Sequence, residues 1–227
     1  MVYDHIKEWD KAYVGHQMMY PAEYVIRIFK GSFPRLDLDK ASFNSKKICD
    51  VGCGDGRNLV LLKQCGFDLY GVEISEEIVE KVKSDLASLG IEADIRVGDN
   101  YNIPFGDDFF DYVLSWNVCY YMGKQTNFSS HVKELARVIK PEGFLVLSIP
   151  KKTCYIFEGS EELKRGYQVI RNDPFKTRNG EVLKMFENEE EISDEFSSYF
   201  KEFVWASIHD DCFGFNYHWH LVVCRKF

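Results

Sequence analysis

Between Lys46 and Pro150 short apolar runs alternate with amphipathic stretches. That alternation restricts the chain to a layered α/β architecture. KKICDV (46–51), FDLYGVE (67–73), EADIRVGD (92–99), FDYVLSW (110–116) and FLVLSIP (144–150) read as strands. Helices are expected over Leu59–Cys65, over 75–89 closed by Gly90, and over 131–140 stopped by Pro141 and Gly143. Strands separated by helices need right-handed crossovers, so the sheet should be mainly parallel and covered on both faces. Ahead of it, QMMYPAEYVIRIFK (17–30) has helical apolar spacing, with Pro21 placed to be the first helical residue and Gly31 and Pro34 to end the helix. After Pro150 the pattern breaks. Residues 151–188 read as polar and irregular, 189–199 as a helix, and 201–209 with 215–225 as an antiparallel strand pair joined by DDCFG. With no internal repeat or low-complexity linker, the 227 residues are expected to form one domain, divided as 1–45, 46–150 and 151–227.

The first strand runs into Asp50-Val-Gly-Cys-Gly-Asp-Gly-Arg-Asn58 and then a helix. Gly52, Gly54 and Gly56 allow a sharp turn and a close approach of backbone to a ligand. The helix behind them offers free N–H groups and the positive end of its dipole, and Asp55 or Asn58 could cap it. Three glycines at alternate positions exceed what a tight turn alone requires. A dinucleotide site would show G-x-G-x-x-G, but here Arg57 occupies the third-glycine slot and would hinder close packing on a pyrophosphate. Glu73 ends the second strand, where a carboxylate can accept both ribose hydroxyls, and Asp99 and Asn100 end the third, within reach of an adenine edge.

These pieces together resemble the class I S-adenosylmethionine-dependent methyltransferases, specifically the small-molecule group of the methyltransferase domain 11 type. The resemblance covers roughly residues 46–150 and is carried by Asp50–Arg57, Gly71-Val-Glu-Ile-Ser75, Gly98-Asp99 with Pro104-Phe105, Phe110-Asp111 and Leu135–Gly143. It departs from the group's pattern at Glu142, in a Pro-Gly-Gly turn. The resemblance implies a Rossmann-like seven-stranded sheet in the order 3-2-1-4-5-7-6, the last strand antiparallel, with helices on both faces and an N-terminal helical lid. It implies S-adenosylmethionine as cofactor. Gly52, Gly54 and Gly56 would lie along the methionine moiety, Glu73 at the ribose, Asp99 and Asn100 at the adenine, and Trp116 with Asn117 near the methyl group, with Asp50 and Ile74 also at the cofactor.

Acceptor residues should come from the C-terminal edge of the sheet and from the lid. Tyr13, Tyr20, Asn117 and Tyr120 are the candidates for a substrate wall. His209, oriented by Asp210, and His16 are the candidates for a base, needed only if the acceptor is a weakly acidic hydroxyl or a protonated amine. His218 and His220 share a strand face, but no third metal ligand is evident, so no metal is expected. His131 reads as a surface residue.

The formal net charge of −8, from 28 Lys+Arg against 36 Asp+Glu, argues against a nucleic-acid partner and favours a small, enclosed acceptor. Seven cysteines without a C-x-x-C spacing read as buried free thiols. No apolar run approaches a membrane span and no signal-type stretch follows Met1, so a cytoplasmic chain without a membrane partner is expected. The competing readings are a nicotinamide-dependent oxidoreductase and a non-catalytic methyltransferase-like binding subunit. Oligomeric state is not legible.

Overall fold

The computed structural model describes residues 5–15, 18–123 and 127–227. In chain order its elements begin with α1 (His5–Val14) and α2 (Glu23–Lys30). The core follows as β1 (Lys47–Val51), α3 (Arg57–Gln64), β2 (Asp68–Glu73), α4 (Glu76–Ser88), β3 (Asp94–Val97) and β4 (Phe110–Ser115). Next come β5 (Tyr121–Met122), α5 (Phe128–Val138) and β6 (Ile139–Pro150). Three short strands, β7 (Glu161–Lys164), β8 (Tyr167–Val169) and β9 (Val182–Lys184), precede α6 (Glu189–Phe196), β10 (Phe200–Cys212) and β11 (Phe215–Lys226).

The main sheet has the order β10-β11-β6-β4-β1-β2-β3. Strands β3, β2, β1, β4 and β6 are parallel, and β11 runs antiparallel to both β6 and β10. This is the expected seven-strand order. Register sets Asp50 beside Gly71 and Leu114, and Val51 beside Val72, so the C-terminal ends of β1, β2 and β4 share one edge. The inner strands are mostly apolar because both of their faces are covered. Ile48, Leu59, Leu62 and Phe67 pack on one side, and Val113, Leu135, Leu145 and Leu147 on the other.

Three boundaries depart from expectation. The helix of the N-terminal segment begins at Glu23 with Ala22 as its N-cap, so Pro21 precedes it and does not start it. The helix expected over 131–140 runs from Phe128 to Val138, its first turn capped by the Asn127 side chain, which accepts from the Ser130 N–H at 3.1 Å. Pro141 and Gly143 lie inside β6, not after a helix. A register shift between Phe110 and Tyr112 of β4 absorbs the Pro-Glu-Gly kink, with Glu142 at φ 64°. Residues 151–188 are more ordered than their composition suggests. They supply β7, β8 and β9, which join β5 in a second antiparallel sheet of order β5-β9-β8-β7. None of its strands exceeds four residues, too short for alternation to show in a sequence. Among the described residues no helix is long and apolar enough to cross a membrane.

Candidate cofactor and acceptor site

The turn after β1 is built on left-handed backbone. Gly52, Gly54 and Gly56 have φ of 68°, 60° and 78°, a region that side-chain-bearing residues enter at a cost. The N–H groups of Gly52 and Cys53 both donate to the Val72 carbonyl, at 2.8 and 3.2 Å, which locks the turn onto β2. Glu73 then braces it from below. One carboxylate oxygen accepts from the Gly54 N–H at 2.6 Å and the other from the Ile74 N–H at 2.9 Å. Burial pushes the Glu73 carboxyl up, and those two N–H groups pull it back.

Asp50 lies under the turn, almost wholly buried. Neither of its carboxylate oxygens has a hydrogen-bond partner among the described residues. Burial pushes this carboxyl up to about 8, with the Asn58 amide acting the other way. A buried carboxyl left in this state calls for a ligand or a proton.

The cap position of α3 is Gly56, without a side-chain bond of its own, and Asp55 Oδ1 accepts from the Arg57 N–H that opens the helix, at 3.3 Å. Asp55 Oδ2 also accepts from the Met19 N–H at 2.9 Å, and Asn58 Oδ1 accepts from the Ala22 N–H at 3.1 Å. The two side chains tie the segment before α2 onto the glycine turn.

Above the turn opens a cavity of about 610 Å³, within the range of small-ligand pockets. Gly52, Gly54, Glu73, Ile74, Asp99 and Asn100 line one part of it. Asp99 accepts from the Tyr101 N–H at 3.1 Å. The Asn100 amide nitrogen donates to the Val118 and Tyr121 carbonyls at 3.0 and 3.3 Å, which leaves its buried Oδ1 without a partner among the described residues. Trp116 and Asn117 border the cavity at the end of β4. Asn117 sits at φ 63° and accepts from the Ser148 hydroxyl at 2.7 Å, so β6 holds it in place.

Helix α1 covers this opening. Tyr13 lies against Gly54 so closely that a Cβ there would stand 3.0 Å from its ring. Burial and the Glu73 charge push its phenol well above the usual range. Trp9 stacks on Tyr13 and meets Tyr121 edge-on, each with ring centroids 5.9 Å apart. Asp10 accepts from the Ser75 hydroxyl at the start of α4.

Several expected residues fall elsewhere. Tyr20 is 92% exposed and away from the cavity lining. Tyr120, in the turn before β5, is fully buried in the core, and its neighbour Tyr121, the first residue of β5, lines the cavity in its place. His209 is outside the lining, where its Nε2 accepts from Lys151 Nζ at 2.7 Å. Asp210 does not orient it. As the next residue on β10 it faces the other way and accepts from the Tyr24 hydroxyl at 3.2 Å. His16 lies outside the described residues. His131 is buried, not on the surface, and its Nδ1 donates to the Cys119 carbonyl at 3.0 Å. His218 is paired with Asp211, at 2.9 Å. Among the described residues no group of three His, Cys, Asp or Glu side chains could hold a metal ion. Lining residues with no motif to announce them include Trp9 on α1 and Arg178 before β9.

Comparison with known proteins agrees with this geometry. Residues 49–147 match the family described as methyltransferase domain. The tRNA (carboxymethyluridine(34)-5-O)-methyltransferase of Arabidopsis thaliana is 31% identical over 102 residues, covering 45% of this chain and 23% of that protein. The 2-methyl-6-phytyl-1,4-hydroquinone methyltransferase of Synechocystis is 35% identical over 102 residues, covering 44% of this chain and 31% of that protein. The chain thus matches under a third of the length of either relative. A solved S-adenosylmethionine-dependent methyltransferase of Methanosarcina mazei superposes with a TM-score of 0.65 at 18% identity, covering 81% of this chain and 93% of that one. Residues 49–147 thus match the methyltransferase domain family, and the sheet built around them has the fold of the S-adenosylmethionine-dependent methyltransferase on which it superposes.

Proposed function

We propose that the chain binds S-adenosylmethionine in this cavity and transfers its methyl group to an oxygen or nitrogen of a small-molecule acceptor. The observation that carries the reading is the glycine turn braced by Glu73 over the unpartnered Asp50 carboxyl, closed from above by α1. The residues present fit the cofactor. Glu73, Asp99 and Glu181 share the lining with Arg57 and Arg178, and Asp10 and Asp55 lie around it and add to the acidic balance. An acidic surround suits a ligand with a sulfonium and an ammonium group.

When bound, S-adenosylmethionine supplies a methyl group on sulfur with a neutral thioether as leaving group. The chain's part is to bind, align and exclude water. Backbone at Gly52 and Gly54 would lie along the methionine moiety, Glu73 would take the ribose hydroxyls, and Ile74 with Asp99 and Asn100 would flank the adenine. Trp116 and Asn117, fixed at the end of β4, would border the reacting centre. Trp9 and Tyr13 would keep water from it.

Glu73→Ala is expected to weaken S-adenosylhomocysteine binding by more than ~10-fold, since it removes a hydrogen-bonding carboxylate and leaves the Gly54 and Ile74 N–H groups unsatisfied. Calorimetric titration checks this, and wild-type affinity in the variant would refute the assignment of Glu73.

Relatives act on tRNA and on a hydroquinone, by their names. Net charge and the cover over the cavity favour the small acceptor here: a chain at −8 has a poor footprint for a polyanion. The acceptor class is tested by incubating the protein with methyl-labelled S-adenosylmethionine and a fractionated cell extract. Label should enter the low-mass fraction. Label confined to RNA or protein would overturn the small-molecule reading.

A further inference from the structure

Arg178 stands in the turn before β9, and its side chain is mostly buried, at 16% exposure. Three neighbours fix it. Nη1 donates to Asp173 Oδ1 at 2.9 Å, Nε donates to the Tyr121 hydroxyl at 2.8 Å, and the Trp9 ring centre is 5.8 Å from the guanidinium carbon. Asp173 is itself held. Its Oδ2 accepts from the Thr177 hydroxyl at 3.1 Å and from the Arg178 N–H at 3.0 Å, and its own N–H donates to Asn179 Oδ1 at 2.9 Å. A buried pair with its hydrogen bonds filled is rigid, and the direction of the guanidinium is set before any ligand arrives.

The donors left over are informative. Nη2 of Arg178 has no hydrogen-bond partner among the described residues. The Tyr121 oxygen already accepts from Arg178, so its own hydrogen points elsewhere, and no acceptor for it occurs among the described residues. Arg178, Tyr121 and Trp9 all line the cavity. This corner therefore presents a guanidinium edge and a phenol O–H beside an aromatic face. Glu181 borders the same stretch, and its charge acts on Tyr121. Two donors side by side match a group with two acceptor oxygens.

We propose that this corner is the acceptor subsite and that it takes the carboxylate of a planar acceptor, bonded by Arg178 Nη2 and the Tyr121 hydroxyl with its ring against Trp9. The inference rests on the methyltransferase reading above. A carboxylate can place one oxygen on Nη2 and the other on the Tyr121 O–H, whereas a neutral amide brings its own donors into a place already rich in them. Asp173 acts through Arg178 as a positioning residue.

The test uses the full chain saturated with S-adenosylhomocysteine, titrated with para-hydroxybenzoate and, separately, with para-hydroxybenzamide. The carboxylate should bind at least ~10-fold more tightly than the amide, and Arg178→Gln and Tyr121→Phe should each remove most of that preference. Arg178→Gln should leave S-adenosylhomocysteine affinity within about threefold of wild type. Equal binding of acid and amide, no binding of either, or an unchanged preference in both variants overturns the subsite. Loss of S-adenosylhomocysteine affinity in Arg178→Gln also overturns it, since Arg178 would then hold the cofactor's own carboxylate. Should Arg178→Gln fail to fold by circular dichroism, Tyr121→Phe, which keeps the ring, decides alone. Failure of the wild-type chain to bind S-adenosylhomocysteine at all would instead bring down the cofactor reading with it.

Discussion

Gly52→Ala is expected to cost about 2–5 kcal/mol of folding stability and to lower S-adenosylhomocysteine affinity by at least ~100-fold. Two separate effects combine. Gly52 sits at φ 68°, where alanine is strained. A Cβ at this position would also lie 2.4 and 2.8 Å from the two Val118 methyl groups. Val118 cannot simply withdraw. Its carbonyl accepts from Asn100 at 3.0 Å and from the Tyr121 N–H at 3.0 Å, so a shift there disturbs the cavity wall at Asn100, Asn117 and Tyr121 together. Adding Val118→Ala relieves the clash but not the backbone strain, so the double variant should recover only part of the stability. Urea denaturation of the three proteins measures this. A Gly52→Ala chain within ~0.5 kcal/mol of wild type would contradict the account of the turn.

The second large effect belongs to Asp50. Its carboxyl is raised to about 8 in the folded chain, against about 3.9 in an unfolded one. Below both values each state is protonated and the group has no net effect relative to that reference. Between them the unfolded chain has lost its proton while the folded chain still holds one, so this group's contribution falls as pH rises and levels off above the folded pKa. Every tenfold difference in proton affinity between the two states is worth about 1.4 kcal/mol, so the loss across this window amounts to several kcal/mol. Asp50→Asn removes the titration while keeping the shape. The variant without ligand should be more stable than wild type at pH 8, and the gap should close toward pH 4. Thermal unfolding of both proteins over that range checks it, and parallel curves would count against a buried, protonated Asp50. A cationic ligand in the cavity favours the ionised carboxylate, so the same substitution should also flatten the rise of S-adenosylmethionine affinity with pH.

What could be read from the sequence were the long periodic elements and the turn between two of them. β1, β2, β4 and β6 are buried on both faces, so their apolar runs stand out, and the glycines that follow β1 mark the ligand edge directly. The place of Glu73 at the cavity was legible because it ends a strand at the ligand edge of the sheet. Its bond to the Gly54 N–H was not, since that depends on how the turn folds back over β2. Tyr120 and Tyr121 could not be told apart on spacing, because a turn passes into a two-residue strand between them and neither has a period to phase. Asp55 resembled a helix cap by position and does accept from the Arg57 N–H that opens α3, but its second oxygen and the Asn58 amide hold residues 19 and 22, which no local pattern announces. His209 and Asp210 looked paired in one dimension, and the alternation of a strand separates them. Arg178 lay hidden in a polar stretch whose order comes from Asp173 and from tertiary contact with Tyr121 and Trp9, not from local propensity.

The most direct test of the central claim is a calorimetric titration of S-adenosylmethionine, and in parallel NADH, into the full chain. The structure predicts saturable binding of S-adenosylmethionine at one site per chain and none of NADH. A well-folded sample that gives no heat with S-adenosylmethionine, or that binds NADH instead, would contradict it.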